Sequence, residues 1–329
     1  MSTSSAYWLL VRGRGERRLE PEVRVEELRA HSSTRRPSVR AGDRAILYAA
    51  GWQVVFAAAD VVSDPAEDAA RTRWRWRFGI RPELALADLR EAPPVQAAGV
   101  LPSSLGRHSY VRLTGEQFGA GRRAVAAAIV AAGYDAVADR FVAWQRASTG
   151  GTRHERVARL LDALPPRPEI VELGVGAGHS TSITLAERSS LTGIDVSAAM
   201  LARARGRLPG ARLLQSDLLE LDLPDQSCDA VVSLYVLNHV LRDELGPLFG
   251  RIARWLRPGG LLLATLGAHD TPAWSGDWLG APTFFSGYPQ EENERLLRNG
   301  GLELVESEVE PDAAPGHGTF HWVLARRRH

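Results

Sequence analysis

Residues 171–178 read VELGVGAG, a stretch built to cradle a ligand. Glu172 closes a short apolar run, and Gly174, Gly176 and Gly178 follow at alternate positions. Glycines so placed let backbone amides approach a ligand at a helix N-terminus. A second apolar run ends at Asp195, 17 residues past Gly178. No Gly-Lys-Ser/Thr follows, so a phosphate loop is excluded, and the third glycine falls one position early for the dinucleotide pattern G-x-G-x-x-G. Proton-transfer candidates are His239, Tyr235, His269 and His321, and structural or ligand-contacting roles stay open for each.

These residues must sit on elements. From about residue 152 the chain alternates helix and strand: RHERVARLLDALP helical, PEIVELG a buried strand, STSITLAER helical, LTGIDV a strand, SAAMLARARGRLP helical and ARLLQSD a strand. CDAVVSLYVLNHV reads as strand then helix, GPLFGRIARWLRPGG as a helix with a Pro-Gly-Gly stop, and LLLATLG as a strand. That rhythm predicts a doubly wound α/β sheet, covered by helices on both faces. Two tail strands, ELVESEVEP and FHWVLARR, follow. Before it, YWLLVRG (7–13), two strands within 44–62 joined at Ala50-Gly51, WRWRFGIR (74–81) and RHSYVRL (107–113) predict a mostly-β small barrel. Residues 115–132 turn helical, and the domain boundary is expected near 132, giving domains 1–132 and 133–329.

The E-x-G-x-G-x-G form resembles the first motif of class I S-adenosylmethionine-dependent methyltransferases. The rest of the chain follows that family's order. Asp195 ends the second strand, Gln215-Ser216-Asp217-Leu218 the third, and Ser233-Leu-Tyr235-Val-Leu-Asn238-His239 the fourth; Arg257-Pro-Gly-Gly260 precedes the fifth. Tyr134-Asp-Ala-Val-Ala138 is similar to the family's N-terminal helix, so the resemblance covers residues 133–329. It implies a Rossmann-like, mostly parallel seven-stranded sheet and S-adenosylmethionine as cofactor, with no metal. Its implied cofactor contacts are Tyr134, Glu172, Gly174, Gly176, Gly178, Asp195, Val196, Met200, Ser216, Asp217, Leu218, Ser233, Tyr235 and His239. Catalysis would come largely from aligning nucleophile, methyl and sulfur, with His239 and Tyr235 as catalytic candidates.

The segment 274–289, WSGDWLGAPTFFSGYP, is similar to the lid of small-molecule methyltransferases of the broad type 11/25 group, placing Trp278, Phe284, Phe285 and His321 at the substrate. The fourth-strand motif SLYVLNHV lacks the Asn/Asp-Pro-Pro-aromatic pattern of DNA amino-methylation. Cys228 lies at the wrong end of its strand for cytosine C5 chemistry and reads as a buried structural thiol.

Residues 7–118 resemble an EVE domain of the PUA-like superfamily, on Tyr7-Trp8, Arg36-Pro37-Ser38-Val39, Gly42-Asp43-Arg44-Ala-Ile-Leu-Tyr48, Val62-Ser-Asp64-Pro65, Trp74-Arg-Trp76-Arg77 and Arg107-His-Ser109. The family's usual Ser after that Tyr is replaced by Ala49. The resemblance implies recognition of a modified or flipped base by a pocket drawn from Trp8, Ser38, Tyr48, Trp74, Trp76 and Arg107. Alternation in WRWR is expected to set both tryptophans on one face and both arginines on the other.

Charge agrees in part. All 40 basic residues are Arg; residues 1–132 hold 20 of them against 14 acids, and the remainder 20 against 25. The first half could meet an anion such as nucleic acid, or simply present a solvated basic face. The single cysteine excludes an internal disulfide. No apolar run reaches membrane-spanning length, and the N-terminal basic residues follow rather than precede the apolar patch, so a cytoplasmic protein without membrane partners is expected. Three functions stay open: methyl transfer to an O or N atom of a small or nucleoside-like molecule, methylation of RNA or modified DNA guided by the first domain, and modified-base reading with cofactor bound but no turnover. Oligomeric state is not legible.

Overall fold

The computed structural model describes residues 5–13, 18–106, 108–147, 152–311 and 318–328. The chain divides into two units, Met1–Ile129 and Val130–His329, with the division inside one long helix.

The first unit is a seven-stranded sheet of β1 (Tyr7–Arg12), β2 (Ala30–Ser33), β3 (Arg44–Ala49), β4 (Val54–Val61), β5 (Ala66–Glu67), β6 (Trp76–Ala85) and β7 (Tyr110–Leu113). Its order is β2-β6-β4-β3-β1-β7, with β5 on β6. β1 and β3 run parallel; the other pairs are antiparallel. Apolar β1, β3 and β4 supply its centre, including Leu9, Leu10, Ile46, Leu47 and Phe56, all fully buried. Asp43 ties the starts of β1 and β3 together: its carboxylate accepts from the Ala6 amide at 3.0 Å, the Trp8 Nε1–H at 2.7 Å and the Arg40 amide at 2.9 Å. A short α1 (Pro102–Leu105) precedes β7. The expected strand at 74–81 begins instead at Trp76; Trp74 lies outside it at φ 60°, so alternation does not align the two tryptophans.

Helix α2 runs unbroken over Gly115–Ala147, past residue 132 where the sequence reading ended its helical stretch. The second unit then alternates α3 (Arg153–Asp162), β8 (Glu169–Leu173), α4 (Ser180–Arg188), β9 (Ser190–Asp195), α5 (Ala198–Arg207), β10 (Arg212–Gln215), β11 (Cys228–Ser233), α6 (Leu245–Trp255) and β12 (Leu256–Gly267). The hairpin β13 (Thr271–Trp278) and β14 (Ala281–Gly287), α7 (Gln290–Asn299), β15 (Leu302–Pro311) and β16 (Thr319–Arg327) complete it. The sheet order β10-β9-β8-β11-β12-β16-β15 is Rossmann-like and mixed: parallel through β12, antiparallel at β16 and β15. Two readings need correcting. Residues after β11 form only a 3-10 turn, Leu237–His239, and the Arg257-Pro-Gly-Gly260 stretch lies inside β12 rather than ending the helix. Strands buried on both faces, such as β11 with Ala230, Val231 and Val232, read as continuous apolar runs for that reason. No described helix is long and apolar enough to cross a membrane.

Candidate functional site

Parallel strands end together, so β8, β9, β10 and β11 bring their C-terminal residues to one edge. The turn after β8 folds onto β9, with the Gly174 and Val175 amides donating to the Ile194 carbonyl at 2.7 and 2.9 Å. Gly176 adopts φ 55°, and a Cβ there would meet nothing within 4 Å. The Gly176 amide donates to Asp195 Oδ2 at 2.8 Å and the Ser197 amide to Oδ1 at 2.9 Å. Burial still dominates at Asp195 and pushes its carboxyl up to about 6.

Glu172 is buried, and burial raises its carboxyl to about 8. The Ser182 hydroxyl donates to its Oε1 at 2.7 Å, while Oε2 has no partner among the described residues. Ser233, at the end of β11, is fully buried with its Oγ likewise unpartnered. An open cradle over Gly176 beside unsatisfied acceptor atoms fits the amino-acid end of a nucleoside cofactor. The α5 N-terminus supplies Met200, packed with Ala138 and Ala177, and Tyr134 sits against them. Past β10, the Ser216 amide donates to the Asp195 carbonyl at 3.0 Å and Asp217 Oδ1 accepts from the Leu219 amide. Leu218 is buried beside them, and the Val196 carbonyl accepts from Gln215. Gly178 also adopts positive φ.

Arg153, absent from the sequence reading, belongs to this edge. Its guanidinium lies 4.3 Å over the Tyr235 ring and acts electrostatically on Glu172. A basic residue opening the helix before the glycine-loop strand was its sole sequence signal. Tyr235, at φ 64°, turns its ring toward Phe320 and Trp322.

His239 faces a different group. Its Nδ1–H donates to the Phe284 carbonyl at 2.8 Å, so neutral Nε2 is the acceptor, and the Tyr134 hydroxyl donates to it at 2.8 Å. Burial pushes its pKa down to about 4 and that of Tyr134 up. A ring with both nitrogens engaged is a poor proton acceptor. Around it stand Phe285 at 4.7 Å, Trp274 at 5.5 Å from Phe285, and Trp278 packed on Tyr134, Phe141 and Trp144. Trp274 is 45% exposed, so this cluster presents a ring surface to solvent.

The remaining candidates lie elsewhere. Phe284 is fully buried, and alternation along β14 leaves the ring surface to Phe285. His321 is buried, with Nε2 2.8 Å from Ser307 Oγ and Nδ1 3.3 Å from Asn293. In the first unit a cavity of about 420 Å³ is lined by Gly13, Arg18, Tyr48, Gln53 and Gly106, among others. Of the proposed pocket residues, Tyr48 alone among the described residues borders it. Trp8 is buried with its N–H on Asp43, Ser38 is exposed, and Arg36 lies over the Trp76 ring at 5.4 Å. Trp74 carries Arg73 at 5.9 Å, and Arg107 lies outside the described residues.

A family described as a methyltransferase domain matches residues 171–264. A probable S-adenosylmethionine-dependent methyltransferase of Mycolicibacterium smegmatis is 33% identical over 113 residues, 34% of this chain and 43% of that protein. A trans-aconitate 2-methyltransferase of Methylobacterium nodulans is 38% identical over 108 residues, 32% of this chain and 40% of that protein. The chain thus spans less than half the length of these relatives. A solved 1,6-didemethyltoxoflavin-N1-methyltransferase of Burkholderia thailandensis is similar at 20% identity and TM-score 0.46, covering 61% of this chain and 91% of that one. Residues 171–264 of the second unit thus match a methyltransferase domain, with S-adenosylmethionine as the cofactor.

Proposed function

We propose that the chain transfers a methyl group to an oxygen or nitrogen of a small, flat, largely apolar molecule, nucleoside-like ones included. Bound S-adenosylmethionine supplies the electrophilic methyl on its sulfonium. Asp195 would hold the ribose hydroxyls, and Asp217 with Ser216 and Leu218 the adenine. Glu172 would take the ammonium and Arg153 the carboxylate of the methionyl end; Arg153 is half-buried and acts electrostatically on Glu172. The chain's own contribution is alignment rather than proton removal, because His239 is neutral with both nitrogens engaged. The ring surface of Trp274, Phe285 and Trp278 carries the substrate class: it suits stacking against a flat acceptor. The reading also places the protein in the cytoplasm.

A second reading rests on the first unit. Its excess of Arg and its cavity, bordered by Arg18, Tyr48 and Gln53, would suit an EVE-like unit recognising a base of RNA or modified DNA for methylation. Labelled methyl transferred into a whole-cell extract separates the two. Nuclease-resistant label in small molecules supports the first; nuclease-sensitive label in the high-mass fraction supports the second. No label despite cofactor binding supports a reader without turnover.

A further inference from the structure

His239 ties together three elements far apart in sequence. It ends the turn that leaves β11, and its own amide donates to the Val236 carbonyl at 2.8 Å. Val236 lies against Gly174 of the cofactor loop. The imidazole then reaches in two directions, to the Phe284 carbonyl on β14 and to the Tyr134 hydroxyl on α2. Tyr134 in turn packs with Ala177 of the glycine loop and Met200 of α5. Beside this pair the helix comes unusually close to the hairpin: a Cβ on Gly133 would lie 2.5 Å from the Pro282 carbonyl. The Tyr134, Phe141 and Trp144 rings pack on Trp278, and Arg140 reaches the Gly280 carbonyl at 3.4 Å.

The hairpin needs such a tie. It is a separate two-stranded sheet, and a lone hairpin is marginal in water. One face is partly open, with Trp274 exposed, and the hairpin is seated on α2, on the β11 turn, where Ser286 Oγ donates to the Val240 carbonyl at 2.5 Å, and on the end of β12 at Gly267. The polar tie has one proton arrangement. The Phe284 carbonyl can only accept, so the ring proton is on Nδ1 and Nε2 receives the phenol proton. The Tyr134 end of the tie therefore depends on a neutral imidazole, which burial favours, while the Nδ1–H bond to Phe284 is made in either state.

We infer that His239 is a positioning residue, a clasp that holds the β13–β14 hairpin closed against α2 beside the cofactor loop. It acts through Tyr134 and Phe284 and takes no proton from the acceptor. Its consequence is that hairpin opening and release of the cofactor product are coupled, since Tyr134 packs on both the hairpin and the glycine loop. The inference rests on the methyl-transfer reading only for what the hairpin covers; the clasp itself is a property of the free protein.

Hydrogen exchange of the hairpin amides, 271–287, tests it in the ligand-free chain. Tyr134→Phe removes the phenol and keeps the ring. His239→Asn keeps an N–H for the Phe284 carbonyl and loses the tie to Tyr134. Each should speed hairpin exchange by about five- to tenfold, the worth of one net hydrogen bond, and the double variant should be no faster than either single one. His239→Leu, which loses both ties, should be faster still. Amides of β8 and β9 should keep their rates throughout. Unchanged hairpin rates in Tyr134→Phe would overturn the clasp, as would an equal acceleration of β8 and β9, which marks loss of general stability. Should His239→Leu fail to fold, Tyr134→Phe and His239→Asn still decide. Release of S-adenosylhomocysteine should speed by the same factor in Tyr134→Phe as its hairpin exchange. If the wild type binds no S-adenosylhomocysteine, the methyl-transfer reading fails while the exchange result still judges the clasp.

Discussion

Gly174 and Val236 meet so closely that a Cβ on the glycine would sit 2.1 Å from Val236 Cγ2. The contact pins the cofactor loop to the turn after β11, and Gly174 adopts φ 73° to make it. Gly176, two residues on, has a similar left-handed backbone at φ 55° but open space before it. The two glycines should therefore fail differently. Gly174→Ala combines backbone strain of about 1–2 kcal/mol with a clash of about 1–3 kcal/mol, so thermal unfolding should fall by several degrees. Gly176→Ala carries the strain alone but fills the cradle. It should melt closer to wild type and lose at least about tenfold in S-adenosylhomocysteine affinity by calorimetry. Wild-type affinity in Gly176→Ala would remove the cradle from the site.

Glu172 makes stability depend on pH in an unusual sense. Burial lifts its carboxyl from 4.5 to about 8, against the opposing Ser182 hydrogen bond and Arg153 charge. Between those values the folded ligand-free chain holds a proton that the unfolded chain has released. The unfolded state thus binds fewer protons, and this group's contribution to stability falls as pH rises. Glu172→Gln imitates the protonated acid and still accepts from Ser182. Relative to wild type it should gain stability steadily from about pH 5 to about pH 8, read as the difference between melting curves. Its affinity for S-adenosylhomocysteine should drop by roughly ten- to a hundredfold, the worth of a charge-assisted bond to the ammonium. A difference in melting that stays flat with pH would mean that Glu172 is ionised.

Legibility followed the physics of each signal. The strands and helices of the second unit could be read because a parallel sheet buries both faces and its crossover helices impose a fixed rhythm. Glu172, the glycines and Asp195 stood out because loops at parallel strand ends carry few residue types without reason. Partnerships did not stand out. Tyr134 and His239 are 105 residues apart, and nothing local links them. Arg153 opens a helix and matches no motif. Phe284 and Phe285 are adjacent, and which one faces the site depends on a hairpin register that composition does not reveal. Trp74 misled because positive φ takes it off the strand that its alternating neighbours suggest.

Asp43 is a three-way anchor in the first unit. It satisfies three N–H groups, from Ala6, Trp8 and Arg40. Asp43→Ala leaves them without an acceptor, two of those bonds being in buried surroundings. At about 1–3 kcal/mol per orphaned group, the unit should lose about 3 kcal/mol or more. Exchange at β1 and β3 under mild denaturant should report it. Protection in those strands equal to wild type would show that water or a shifted side chain replaces the carboxylate.

Neighbouring phenylalanines and a tryptophan on the hairpin separate folding from substrate contact. Phe284 is fully buried, so Phe284→Ala should cost about 3–5 kcal/mol and lower the melting temperature sharply. Trp274 is 45% exposed and stands beside Phe285, so Trp274→Ala removes less buried surface than Phe284→Ala. If a flat acceptor stacks there, the loss is one aromatic contact, about 0.5–1.5 kcal/mol. In the labelled-methyl assay with limiting extract, Trp274→Ala should then transfer about three- to tenfold less label. Melting temperature and S-adenosylhomocysteine affinity should stay at wild-type values. Undiminished transfer would move the acceptor away from this surface, and a parallel loss of cofactor affinity would make Trp274 part of the cofactor seat instead.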